Sequence, residues 1–163
     1  MSIIAARLDN RLLHGIVATM WAPELHPQRI MVIDDNVAGD PAKKSAMKMS
    51  RPSTGCALSI IDHETAYNNF KAGKYDGHTV MVIAQDPQVF LDLIELGQEI
   101  PELVIGGTAE LEERPGLIKV SRRACIKEED VPTYQKIAAS GTKIEVRYIP
   151  SDHAEPLSKF IDL

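Results

Sequence analysis

The 163 residues are 44% hydrophobic and 25% charged, with a formal net charge of -5, a profile that fits one globular domain and excludes a fibrous or disordered chain. A chain of this length buries roughly 70% of the surface it exposes when unfolded, so neither disulfides nor a structural metal is needed to complete a core. The 18 Lys and Arg residues are scattered rather than gathered in one run, which argues against nucleic-acid binding and leaves room for a local basic site on a small anion.

In chain order, short β-rich runs alternate with helical segments, the signature of a single α/β domain over residues 1–163, with a mostly parallel central sheet and helices on both faces. Residues 2–8 form the first strand, followed by a polar turn and a helix from about His14 to Trp21. The run RIMVI at 29–33 is the second strand. Asp40 followed by Pro41 starts a helix that reaches about Ser50 and turns Ala42, Ala46 and Met49 inward.

Residues 57–61 form a third strand, and Asp62 caps a helix with Ala66, Tyr67 and Phe70 inside and Gly73 as its stop. The unbroken apolar run at 79–84 reads as a central strand covered on both faces. Asp86 and Pro87 open a helix that buries Val89, Phe90, Leu93 and Ile94 and ends at Gly97. A strand at 102–105 runs into Gly106 and Gly107, and one or two shorter strands fill 116–126. Glu128, Glu129 and Asp130 place negative charge at the start of a helix ending near Gly141. Residues 143–148 form the last strand, and the tail from Pro150 packs as a turn of helix.

The first residues carry charge by position 7, and the strongest apolar runs, 30–33 and 80–84, are far too short to cross a bilayer. Neither a signal peptide nor a transmembrane helix is expected, and the expected location is cytoplasmic. Cys56 and Cys125 lack CxxC spacing and read as buried thiols in a reducing compartment.

Ligands of open α/β sheets bind beyond the carboxyl ends of the strands. The first such turn holds Asp9, Arg11, His14 and Gly15, with Arg7 just before it. A neutral imidazole keeps an unprotonated nitrogen near pH 7 that can attack phosphorus. Arg11 brings a planar fork of donors suited to the resulting charge, and the N–H groups of a helix starting at His14 would point the same way. Gly15 lets the backbone approach, and Asp9 either orients Arg11 or holds the imidazole, a choice the sequence leaves open. The bland alternative is a surface ion-pair cluster with a polar residue at a helix start.

Resemblance shifts that balance. The run RLDNRLLHG from Arg7 to Gly15, with Val17 and Trp21 beyond it, resembles the active-site segment of the sorbose/mannose family of phosphotransferase-system (PTS) IIB components. Their pattern is close to R-hydrophobic-D-x-R-hydrophobic-hydrophobic-HGQV. Asp34 and Asp35, the Ile105-Gly106-Gly107 turn and residues 146–152 look like landmarks of the same family, so the likeness covers essentially the whole chain.

The resemblance implies a cytoplasmic phosphocarrier subunit of a bacterial sugar-uptake system, a transferase and sugar kinase component. A IIA component would phosphorylate His14 at Nδ1, and His14 would pass the group to a sugar entering through membrane IIC and IID partners. Arg11, Asp9, Gly15 and Arg7 would then form the phosphate-binding loop. Ile16 departs from the family, which usually has glutamine there, and this puts partner choice or transfer rate in question rather than the acceptor.

Two rivals remain open: a regulatory or binding module that kept the fold and lost transport, and an unrelated histidine phosphatase, which would need a general acid and a second histidine. Trp21 reads as core or docking surface, and Gly106-Gly107-Thr108 as a phosphate edge or a tight turn. His26, His63, His78 and His153 are dispersed without metal-ligand spacing, and the Asp34, Asp35 pair caps a loop better than it holds Mg²⁺. No cofactor, metal or nucleic acid is expected, and exposed apolar area needed for relay contacts is compatible with a homodimer.

Overall fold

Strand β1 (Ile3–Asp9) is the centre from which the rest is built. The computed structural model describes residues 2–53 and 55–163. β1 is followed by a π-helical turn (Val17–Trp21), α1 (Ala22–Leu25), β2 (Arg29–Ile33), α2 (Asp35–Ala38), α3 (Pro41–Lys48), β3 (Ala57–Ile61), α4 (His63–Lys71), β4 (Val80–Ala84) and α5 (Pro87–Glu95). The second half runs β5 (Glu102–Gly107), β6 (Leu117–Ser121), β7 (Ala124–Lys127), a 3-10 turn (Glu128–Asp130), α6 (Val131–Ala139), β8 (Lys143–Val146), β9 (Glu155–Pro156) and a last 3-10 turn (Leu157–Lys159).

Among the described residues the main sheet has seven strands in the order β3-β2-β4-β1-β5-β8-β9, with β6 and β7 forming a separate antiparallel hairpin. Pairings from β3 through β8 are parallel, and β9 alone runs antiparallel, against β8. Both faces are covered. In β4, Val80, Val82 and Ala84 join the core beneath α4, α5 and α6, whereas Met81 and Ile83 join the one that holds Leu12, Leu13, Val17 and Trp21. This two-sided burial is why β4 shows no polar alternation.

The expected caps are present: Asp40, Asp62 and Asp86 each accept first-turn N–H groups, and Asp34 caps the short α2 where the sequence suggests only a loop. Cys56 and Cys125 are free and buried. α3 corrects the sequence reading. Ala42 and Ala46 are exposed and Met49 is 88% exposed, while Lys44 and Met47 face the protein. Alanines offer too little area to decide which face turns inward, and Met47 reaches the core shared with Val37 and Leu58. The last main strand is also shorter than expected, ending at Val146, and the tail adds β9 to the sheet edge before its helical turn.

The connection from β1 leads toward β2, whereas that from β5 leads toward β8 on the opposite side. The crevice between the carboxyl ends of β1 and β5 is therefore a topological switch point.

β5 and β8 also carry a charge cluster. Arg147 donates to Glu145 at 3.1 Å and to Glu102 at 3.5 Å. The hydrogen bond between the two carboxyls, then burial and the Glu145 charge, push Glu102 up to about 6, while the same bond, with Lys143 and Arg147, overcomes burial and pulls Glu145 down to about 2. A carboxyl raised on folding stabilises the fold below its ordinary value of 4.5, and that contribution is lost as pH rises through about 6. Replacing Glu102→Gln keeps a donor toward Glu145 and removes the titration. The fall in Tm between pH 4.5 and 7 should be shallower in this variant than in wild type, and equal slopes would contradict the shared proton.

Candidate active site

Asp9 closes β1, and the chain reverses at once. The Asn10 N–H donates to the Gly107 carbonyl at 3.1 Å, the Leu12 N–H to the Asp9 carbonyl at 3.1 Å, and the Arg11 N–H to Asp9 Oδ1 at 2.9 Å. Leu12 sits at φ 59°, in the left-handed region that leucine disfavours by roughly 1–2 kcal/mol. Burial of Leu12 and Leu13 in the second core, roughly 1.5–3 kcal/mol each, offsets that strain. The reversal carries His14 back over the end of its own strand.

Asp9 Oδ2 accepts two hydrogen bonds there, from Arg7 Nε at 3.1 Å and from His14 Nε2 at 2.9 Å. Asp9 and Arg7 are each 1% exposed and the His14 side chain 12%. Burial pushes the Asp9 carboxyl up, but the His14 hydrogen bond, the Arg7 charge and the Arg11 N–H together hold it below the ordinary carboxylate range. A carboxylate can only accept, so the proton on a neutral His14 ring belongs on Nε2. The lone pair is then on Nδ1, which is buried and has no hydrogen-bond partner among the described residues.

Arg7 lies beneath the loop rather than at its mouth. Besides Asp9, its guanidinium donates to the carbonyls of Arg147 at 3.4 Å and Tyr148 at 3.1 Å, and it packs 5.1 Å from the Trp21 ring centroid. Burial lowers its pKa from the ordinary value, against the opposing pull of Asp9. The sequence suggests Arg7 as a phosphate ligand; in the structure its guanidinium is buried and turned toward Asp9 and the two carbonyls. Gly106 makes that possible, because a Cβ at 106 would overlap the Arg7 guanidinium.

Arg11, by contrast, is exposed, and its Nη2 donates to the Tyr148 hydroxyl at 2.6 Å. Gly15 opens the helix; a Cβ there would meet nothing within 4 Å, so the approach to its backbone is unobstructed. The Ala18 N–H bonds the His14 carbonyl at 3.0 Å, and the helix then widens into the π turn, with Ala22 N–H bonded to the Val17 carbonyl. Widening there accommodates Pro23, which has no N–H and whose ring would strike the preceding turn of a regular α-helix. Trp21 is thereby set in the core, with Nε1 donating to the Tyr148 carbonyl at 2.8 Å.

Sequence reasoning brought Arg7, Asp9, Arg11, His14 and Gly15 together, and the structure does too. It missed Tyr148, whose signal was its place at the carboxyl end of the last expected strand; the structure puts it just beyond β8. Asp34 and Asp35 separate: the first caps α2, and the second meets His63 at 2.6 Å. No group of three or more metal-ligating side chains occurs among the described residues.

The class is that of open α/β domains with a carboxylate-steered histidine poised at the switch point. The chain belongs to the PTS system sorbose subfamily IIB component family, whose model matches residues 3–163. It is 33% identical over 163 residues to the mannose-specific EIIAB component of Escherichia coli (strain K12), covering 100% of this chain and 48% of that protein, so it spans about half the length of that relative. It is 29% identical over 155 residues to the fructose-specific EIIB component of Bacillus subtilis (strain 168), 95% of this chain and 93% of the relative. The crystal structure of the IIBSor domain of the sorbose permease from Klebsiella pneumoniae superposes with a TM-score of 0.85 at 27% identity, covering 98% and 95% of the two chains.

Because a methyl group at position 106 and the Arg7 guanidinium cannot share one space, Gly106→Ala should lower unfolding free energy in urea by roughly 1–3 kcal/mol. Unchanged stability would show that Arg7 is not confined as described.

Proposed function

We propose that this chain is a single IIB domain that works as a cytoplasmic phosphocarrier. His14 Nδ1 accepts a phosphoryl group from a IIA component and passes it to a sugar entering through membrane IIC and IID partners. The observation that carries the reading is the Asp9 contact on Nε2, which leaves Nδ1, buried in the free protein, as the ring nitrogen with an unused lone pair. In transfer, that lone pair forms a bond to phosphorus as the bond between phosphorus and the donor's histidine nitrogen breaks, and the bonding electrons stay with the donor. The Nε2 proton remains on the ring, facing Asp9, so the positive charge gained by the imidazole is balanced without a proton being moved.

Arg11, held by Tyr148 in the free protein, and the first helical N–H groups from Gly15 onward face the incoming charge. Positioning and charge stabilisation are most of what phosphoryl transfer requires. No helix of the described residues is long and apolar enough to cross a membrane, which fits a subunit that meets the membrane only through partners. The name EIIAB of the mannose-specific relative supports a IIA donor. Relatives named for mannose, fructose, sorbose and N-acetylgalactosamine align with this chain, which favours sugar choice residing in the membrane partners. Ile16, where the family usually has glutamine, is half-buried against the second core and fits a packing role.

Intact-mass analysis after incubation with phosphoenolpyruvate, the general phosphocarrier proteins and a IIA partner should show one acid-labile phosphoryl group on wild type and none on His14→Ala. Full phosphorylation of that variant would contradict the assignment, and failure to discharge to sugar with active membrane partners would point to a non-transporting module. Arg11→Lys should slow transfer about tenfold, since a point charge replaces a fork whose bonds to a charged partner are worth about 1.5–3 kcal/mol each. An unchanged rate would remove Arg11 from the phosphoryl site.

A further inference from the structure

The hairpin of β6 and β7 stands apart from the main sheet, and its turn, Arg122 and Arg123, is brought back to the end of β1. The Arg123 carbonyl accepts the Thr108 N–H at 3.0 Å, just beyond β5. A Cβ at Gly107 would lie 3.5 Å from that carbonyl and 4.0 Å from Asp9 Oδ1, so the backbone of Arg123 and the carboxylate under His14 flank the same glycine. The Arg123 guanidinium carbon is 3.9 Å from the centroid of the Tyr148 ring, and the hydroxyl of that ring accepts from Arg11. Tyr148 thus gathers two exposed arginines, from opposite ends of the sequence, at the mouth of the His14 loop.

We infer that Arg123 is a second phosphoryl-binding residue and that Tyr148 is a positioning residue that holds Arg11 and Arg123 ready in the unphosphorylated protein. The inference rests on phosphorylation of His14. Face-on packing against a ring engages the plane of a guanidinium and leaves its N–H edges available. Among the described residues Arg123 makes no side-chain hydrogen bond or ion pair, whereas Arg7 is surrounded by Asp9 and two carbonyls. Arg11 gives one N–H to Tyr148 and has four more.

A phosphohistidine brings close to two negative charges. One exposed Arg11 balances half of that, and the protein as a whole is acidic, at -5. A second guanidinium completes the balance where the charge arises. The ring is worth its place because it restricts two long side chains before the phosphoryl group arrives, which reduces the ordering cost at the moment of transfer.

The test measures the equilibrium division of phosphoryl groups between a IIA donor and this protein, together with the 31P titration of the phosphorylated protein freed of donor. Arg123→Gln should shift the division about tenfold toward the donor, the loss of about one charge-assisted bond, and should move the 31P midpoint to higher pH, with Tm unchanged. Arg123→Lys should recover part of both. Tyr148→Leu should move both readouts in the same direction, whereas Tyr148→Phe, which keeps the ring, should retain the Arg123 contribution. If wild type is phosphorylated and Arg123→Gln matches it in division and titration, the inference is overturned alone, including where only KM for the donor rises. If wild type takes no phosphate from an active donor, the phosphocarrier reading fails and this inference with it.

Discussion

The short chain of hydrogen bonds from Arg7 through Asp9 to His14 is the constraint on which the site depends. Burying a charge pair yields little net stability, because the cost of leaving water offsets the attraction. What the pair supplies is direction. The His14 hydrogen bond and the Arg7 charge together hold Asp9 as a carboxylate in a dry place, and Asp9 in turn fixes which imidazole nitrogen carries hydrogen. Removing water from that contact makes the choice of tautomer firm, since an Nδ1 proton would leave the carboxylate facing a lone pair.

The fold exists around that chain in a literal sense. Arg7 needs a strand position with no side chain beside it, and β5 supplies Gly106. It needs carbonyl acceptors, and the segment leaving β8 supplies those of Arg147 and Tyr148. Trp21 covers it and bonds the same Tyr148 carbonyl, a position reached because the helix after His14 opens into a π turn before Pro23. Three strands and one irregular helix therefore converge on one guanidinium, and the histidine loop rests on top.

Much of this was legible in the sequence because local chemistry decided it. Asp40, Asp62 and Asp86 cap helices by contacts within three residues, and the apolar run of β4 declares burial on both sides. The RLDNRLLHG segment showed which residues meet, since they are neighbours in the chain. Roles were harder to read. Arg7 and Arg11 are the same residue type four positions apart, yet one is 1% exposed and the other lies at the surface, and that division is set by the end of β1 at Asp9, which leaves Arg11 in the turn, and by Gly106, nearly a hundred residues away. Tyr148 and Arg123 join the site only through the order of strands and the return of a hairpin, which no local pattern reveals. The outward turn of Ala42, Ala46 and Met49 shows the same limit, since helical periodicity marks a stripe without saying what will cover it.

The most direct test of the central claim is 15N NMR of the His14 imidazole before and after phosphorylation. The account expects the free protein to show a protonated Nε2 in a strong hydrogen bond and an unprotonated Nδ1, and the phosphorylated protein to show 31P coupling at Nδ1. A proton on Nδ1 in the free protein, or phosphorus coupled to Nε2, would contradict it, because Asp9 would then not be choosing the nucleophile.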